Sequence, residues 1–193
     1  MKILMVADLH GQKWILQKLQ KHLEKNKYDA VFSLGDLCNS HDPYALVYTK
    51  DFIDLIKRKN HTPLFLIHGN QESGEVKTLF EKENVSVHLR ERALGKYQVV
   101  GVGFGEEFPA DPQFAAGKIL LTHEPPRFAA IKQMRRVTNL AGAPLVHLSG
   151  HLHYIQRAEK IGKTLFVQCP TAQNSLITVL HLPGKKIEFE KLL

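Results

Sequence analysis

Short apolar runs in this chain repeatedly stop at a turn that carries an acid, an amide or a histidine, and that placement restricts the fold more than any bulk property. Residues 2–7 end at Asp8-Leu9-His10-Gly11, residues 30–34 at Gly35-Asp36, and residues 63–67 at His68-Gly69-Asn70. Runs of this length, rich in β-forming residues and bounded by turn residues, read as buried strands. Between the first two, Trp14, Ile15, Leu16, Leu19 and Leu23 lie close to a helical stripe over residues 12–25. A second helix is expected from Asp42 as N-cap with Pro43 in its first position, and Leu46, Phe52, Ile53 and Ile56 give it an inner face. A third is expected over 73–83, followed by a short strand at 85–88. From Tyr97 onward strands dominate, at 97–100, 118–121, 145–148, 164–167, 176–180 and 187–190. One helix, around 129–140, interrupts them. A β-α-β start followed by a strand-rich half predicts an α/β fold, a four-layer α-β-β-α sandwich of two mixed β-sheets flanked by helices. Residues 1–193 form one domain on this reading.

Bulk properties narrow the partners. A chain of 193 residues with 44% apolar and 23% charged residues has the make-up of a soluble globular domain. No apolar run approaches the roughly 20 residues that span a bilayer, and the short apolar N-terminus lacks a secretory cleavage pattern. A cytoplasmic protein with no membrane association is expected. Cys38 and Cys169 form no spacing motif and read as ordinary free thiols. The net charge of +7 suits an anionic substrate or a nucleic acid. The basic clusters, Lys57-Arg58-Lys59 and Lys132 with Arg135-Arg136, fall on expected helical faces without interleaved aromatics, so a solvated face is the better reading.

The chemistry lies in the turns. Asp8 and His10 follow the first strand, Asp36 the second and Asn70 the third; His123 follows the 118–121 strand, and His151 and His153 follow the 145–148 strand. Open α/β sheets place their sites just beyond the carboxyl ends of strands. Imidazole nitrogens mixed with carboxylate and amide oxygens suit two divalent ions such as Mn, Fe, Zn or Ni better than Mg or Ca. Each pair alone is weak evidence; five strand ends in order are not. His22, His61 and His181 read as ordinary core or surface residues, and His68, His88 and His147 as structural. Gly101-Val-Gly103-Phe-Gly105 mimics a phosphate loop, but Glu106-Glu107-Phe108-Pro109 would start a helix badly and repel phosphate, so it reads as a bend.

In order and spacing these residues resemble the motifs of the calcineurin-like metallophosphoesterases, in particular the small prokaryotic type. Asp8-Leu9-His10, Gly35-Asp36, Gly69-Asn70-Gln71-Glu72, His123 and Gly150-His151-Leu152-His153 stand where that family has D-x-H, G-D, G-N-H-D/E, H and G-H-x-H. The resemblance implies that Asp8, His10, Asp36 and His153 hold one metal ion, with Mn favoured. It implies that Asp36, Asn70, His123 and His151 hold a second, the Asp36 carboxylate bridging. It further implies hydrolysis of a phosphoester small molecule or nucleotide by in-line attack of a hydroxide shared by ions roughly 3.5–4 Å apart. Asn70, His123, Gln71 and Asp36 are the candidate catalytic residues.

One departure matters. The family has a leaving-group histidine where this chain has Gln71, and an amide cannot release a proton at neutral pH. Phosphodiesters with easier leaving groups are therefore expected before phosphomonoesters, unless His41 or His68 supplies the acid. Glu72, in place of the more usual Asp, is expected to orient a metal-ligand histidine. The alternatives are a nuclease of the same chemistry, supported only by net charge, and a non-catalytic protein-binding scaffold, which would require lost ligands.

Overall fold

In the computed structural model, which describes residues 1–111, 113–125 and 143–192, the first apolar run forms β1 (Lys2–Val6). Its side chains alternate between two cores, as the two-residue period of a strand requires. Ile3, Met5 and Ala7 join one buried cluster while Leu4 and Val6 join another. The chain continues through α1 (Lys13–Lys25), β2 (Ala30–Ser33), α2 (Ala45–Ile53), β3 (Leu64–Leu66) and α3 (Gly74–Lys82). Strands follow: β4 (Arg92–Leu94), β5 (Tyr97–Val102), β6 (Ile119–Thr122), β7 (Val146–Ser149), β8 (Arg157–Ile161) and β9 (Thr164–Gln168). After a 3-10 turn at Ala172–Asn174 come β10 (Leu176–His181) and β11 (Lys186–Lys191).

Two mixed sheets result. One has the order β11-β10-β1-β2-β3 and the other β4-β5-β6-β7-β9-β8. In the first, β1, β2 and β3 run parallel; in the second, β5, β6, β7 and β9 do. Antiparallel strands close the remaining edges. The sheets face each other across Ile3, Met5, Phe32 and Ile67 on one side and Ile119, Leu121, Val146 and Leu148 on the other. Helices α1, α2 and α3 pack on the outer face of the first sheet, through Ile15, Leu19, Phe52, Val76 and Phe80. The α/β architecture of two mixed sheets flanked by helices agrees with the expectation. The helix expected around 129–140, with Lys132, Arg135 and Arg136, lies outside the described residues.

Several local outcomes differ from the sequence reading. Asp42 does not cap α2. Its Oδ1 accepts the Tyr44 N–H at 2.8 Å and its carbonyl the Ala45 N–H at 3.0 Å, a turn that delays the helix to Ala45. Past Ile53 the helix widens into a π-helical stretch, Asp54–Lys59. There Arg58 pairs with Asp54 and Glu83, and Lys57 with the Glu83 carbonyl, so two of the three basic residues face partners. Residues 85–88 form no strand. They make single bridges, Leu66 to Ser86 and His88 to Gly101, which stitch the edge of one sheet to the other. β4 and β8 carry no apolar pattern because neither buries a full face; pairing with β5 and β9 holds them. Gly101 and Val102 finish β5 instead of bending. No described helix is long and apolar enough to cross a membrane.

Candidate metal centre

The carboxyl ends of β1, β2, β3, β6 and β7 open onto one place, and the backbone there is unusual. Asp8, His10, Asp36 and His151 all have positive φ, between 50° and 69°. Non-glycine residues adopt this region uncommonly, and clusters of such strain concentrate at functional sites. The neighbouring loops hold it. Asp8 N–H donates to Gly35 O at 3.1 Å, and His10 N–H to Asp36 O at 3.0 Å. Gly35 and Gly69 are needed for proximity. A Cβ on Gly35 would lie 2.6 Å from His123 Nδ1, and one on Gly69 would lie 2.2 Å from Asp36 Oδ1.

All seven predicted side chains come together. Asp8, His10 and His153 form one group of candidate ligands, and Asp36, His123 and His151 a second. In the first, His10 Nε2 is 3.2 Å from His153 Nε2, which is 3.4 Å from Asp8 Oδ1. In the second, His123 Nε2 is 3.5 Å from Asp36 Oδ2 and 3.1 Å from His151 Nδ1. Asn70 Oδ1 joins them, 3.1 Å from both His123 Nε2 and His151 Nδ1. Asp36 Oδ2 also lies 3.9 Å from His10 Nε2, between the groups.

These donors fit cations. Leu34 O is 2.7 Å from His123 Nδ1, and Asn39 Oδ1 is 2.8 Å from His10 Nδ1, so each ring donates its Nδ1–H outward and turns a bare Nε2 lone pair inward. Converging lone pairs repel unless a proton or metal lies between them. Asp8 Oδ1 is buried and has no hydrogen-bond partner; a buried carboxylate in that state is costly. Burial pushes the Asp8 carboxyl up to about 7. His123 is pushed down by burial, but the hydrogen bond and charge of Asp36, with Asp8, outweigh this and raise it to about 8. Burial works upward on Asp36 also, but His123 and the Gln71 N–H hold it below the usual carboxylate range. A cation would take over the stabilisation that protons otherwise give.

Glu72 overturns one expectation, because its hydrogen bonds go to backbone and to no histidine. Its carboxylate accepts the backbone N–H groups of Asp36 at 3.0 Å, Leu37 at 2.6 Å and Gly69 at 2.6 Å, so it ties the β2 and β3 loops together beneath the site. The histidines are oriented by Leu34 O and Asn39 instead. Gln71 lines the cavity above the site, and its Oε1 accepts from Ser40 N–H and Oγ–H at 3.4 and 3.3 Å. Of the substitute acids, His68 is buried against His88 and pushed down to about 3 by burial, hence neutral at neutral pH. His41 is exposed and does not line the cavity.

Some supporting residues went unnoticed in the sequence. Thr171 Oγ donates to Asp8 O at 2.7 Å, and Gln168 Nε2 to Gly150 O at 2.6 Å, so the segment after β9 fixes both the Asp8 and His151 loops. Phe104 stands 5.9 Å from the His123 ring and 5.7 Å from that of His151. Gln168 had a readable signal, a polar residue ending an apolar run; Thr171 and Phe104 had none.

A model of the calcineurin-like phosphoesterases matches residues 1–155. The chain belongs to that family. Its members are phosphoesterases that use divalent metals, and the two candidate ligand groups agree with this. Among solved structures, a protein from Thermus thermophilus superposes with a TM-score of 0.77 at 20% identity, covering 100% of this chain and 99% of its own. A novel archaeal phosphodiesterase reaches 0.62 at 14% identity over 100% of both chains. A phosphoesterase from E. coli reaches 0.51 at 16% identity, also over 100% of both. At these identities the likeness is one of fold. No match is found among curated proteins.

Proposed function

We propose that this calcineurin-like phosphoesterase is a phosphodiesterase that works with two divalent cations, Mn favoured and Fe, Zn or Ni acceptable to the same donors. The observation that carries the reading is the position of Asp36 Oδ2, 3.5 Å from a ligand nitrogen of one group and 3.9 Å from one of the other. A carboxylate so placed can serve both groups. Asp8, His10 and His153 would complete one site, and Asn70, His123 and His151 the other. When bound, the cations supply Lewis acidity, lowering the pKa of water and offsetting charge on phosphoryl oxygens. The chain supplies the rest. Leu34 O and Asn39 lock two histidine tautomers, and Glu72 keeps the loops that carry Asp36 and Asn70 at fixed separation.

Gln71 sets the preference among esters. With its carbonyl oxygen turned to Ser40, its amide N–H groups are left to donate to a phosphoryl oxygen in the cavity. It offers no proton to a leaving group, and neither His41 nor His68 is placed to do so. A diester with a good leaving group is therefore the favoured substrate, either a small phosphoester or a nucleotide. The convergence of all seven side chains supports an enzyme over a binding scaffold.

The test is hydrolysis of bis(p-nitrophenyl) phosphate with Mn²⁺. The wild-type chain should turn it over, and Asp36→Asn should fall to background because neither group then has its shared carboxylate. Undiminished turnover in that variant would overturn the two-cation reading.

A further inference from the structure

The cavity over the centre is larger and more apolar than a phosphoryl group needs. It encloses about 620 Å³, the scale of sites that take whole small molecules. Residues of the metal centre and Gln71 supply its polar lining, and Leu152, Tyr154 and Ile155 its apolar lining. Tyr154 is the most exposed large apolar side chain among the described residues, at 91%. It follows His153 directly, with its ring centroid 6.4 Å from that of His153. An exposed aromatic alone means little; one that lines the same cavity as the candidate metal ligands is within reach of whatever a phosphate bound there carries.

We infer that Tyr154, flanked by Leu152 and Ile155, is a stacking platform for a planar aromatic substituent of the phosphoester, a nucleobase being the natural class. The inference rests on the phosphoesterase reading of the same site and specifies the substrate further. The chemistry is complementary at both ends. The cation-binding end takes the anionic phosphate, and the π-face and aliphatic neighbours take a flat, poorly hydrated ring without base-specific hydrogen bonds. Tyr154 acts on affinity and selectivity; it is not placed to touch the reacting atoms.

Adenosine 5′-monophosphate and ribose 5-phosphate carry the same phosphate and sugar and differ by the base, so their affinities isolate the platform. Both should be titrated calorimetrically into the Mn²⁺-loaded protein. Stacking on an aromatic side chain is worth roughly 5- to 150-fold in affinity per base, so the wild type should prefer the nucleotide by a ratio in that range. Tyr154→Ala should bring the ratio close to one, and Tyr154→Phe should preserve it. Equal affinities in the wild type, or a ratio that survives Tyr154→Ala, would overturn the inference. Because the ring is exposed, its removal leaves the core intact, and a thermal melt of each variant checks this. Failure to hydrolyse bis(p-nitrophenyl) phosphate would count against the phosphodiesterase reading alone; the affinity ratio still decides the platform.

Discussion

At Gly69 one hydrogen atom decides whether the centre can form. A methyl group there would meet Asp36 Oδ1 at 2.2 Å and Asp36 N at 2.6 Å; Glu72 holds the Asp36 and Gly69 backbones together, and Oδ1 accepts the Gln71 N–H at 2.9 Å. Gly69→Ala should therefore lose Mn²⁺-dependent turnover and melt at a lower temperature; a variant with wild-type kinetics would show that the loop can give way. Gln71 is the residue that stands where the motif resemblance implies a histidine. Gln71→His restores a group able to protonate an alkoxide near neutral pH. The ratio of p-nitrophenyl phosphate to bis(p-nitrophenyl) phosphate hydrolysis should rise. An unmoved ratio would mean that proton delivery is not what sets the preference. That Gln71 stands in the cavity followed from its place after Gly69-Asn70. That Ser40 turns its amide did not, because the two are 31 residues apart in sequence.

Among the elements, the helices and the post-β9 segment do different work. Ser73 caps α3 by accepting the Val76 N–H at 3.4 Å. Ser73→Ala should cost about 1 kcal/mol, a drop of roughly 2–4 °C in melting temperature for a domain of this size, with Mn²⁺ affinity unchanged. Thr171 lies farther in sequence from every candidate ligand than Ser73 does, yet its hydroxyl donates to Asp8 O in a buried setting. Thr171→Val leaves that carbonyl without its donor. It should cost about 1–3 kcal/mol and also weaken Mn²⁺ binding, since Asp8 is then free to leave its left-handed conformation. Equal effects of the two substitutions on metal affinity would contradict this division. Elements that bury a full face were legible: β1, β2, β6, β7 and α1 lie close to where periodicity put them. β4 and β8 were not, because a half-solvated edge strand needs only a partner's backbone.

For the molecule as a whole, the centre couples folding to protons and metal. In chelator, Asp8 has its folded value raised to about 7, so it binds more protons folded than unfolded between about pH 4 and 7, and stability falls as pH rises through that window. His123, raised to about 8, contributes stability that is complete below its unfolded value of 6.5 and is lost as pH rises through 8. His68 and His147, pushed down to about 3 by burial, work oppositely and cost stability below pH 6.5, so the pH dependence that belongs to the centre is the part contributed by the Asp8 and His123 protons. Mn²⁺ competes with those protons and binds the folded chain, so it should raise the melting temperature most at the alkaline end. A Mn²⁺ effect independent of pH would place the ion elsewhere. Taken by itself, the sequence determined the two-sheet α/β fold and the seven polar residues at five strand ends. Both follow from local pattern: apolar period, run length, and the turn residues that stop each run. The motif resemblance implied which of those residues share a group and that Asp36 is common to both; the tertiary structure puts distances on that arrangement. It alone showed that Glu72 binds backbone instead of histidine and that Tyr154 lines the cavity. These depend on how two sheets, joined by apolar contacts between residues far apart in the chain, bring separate loops to one edge.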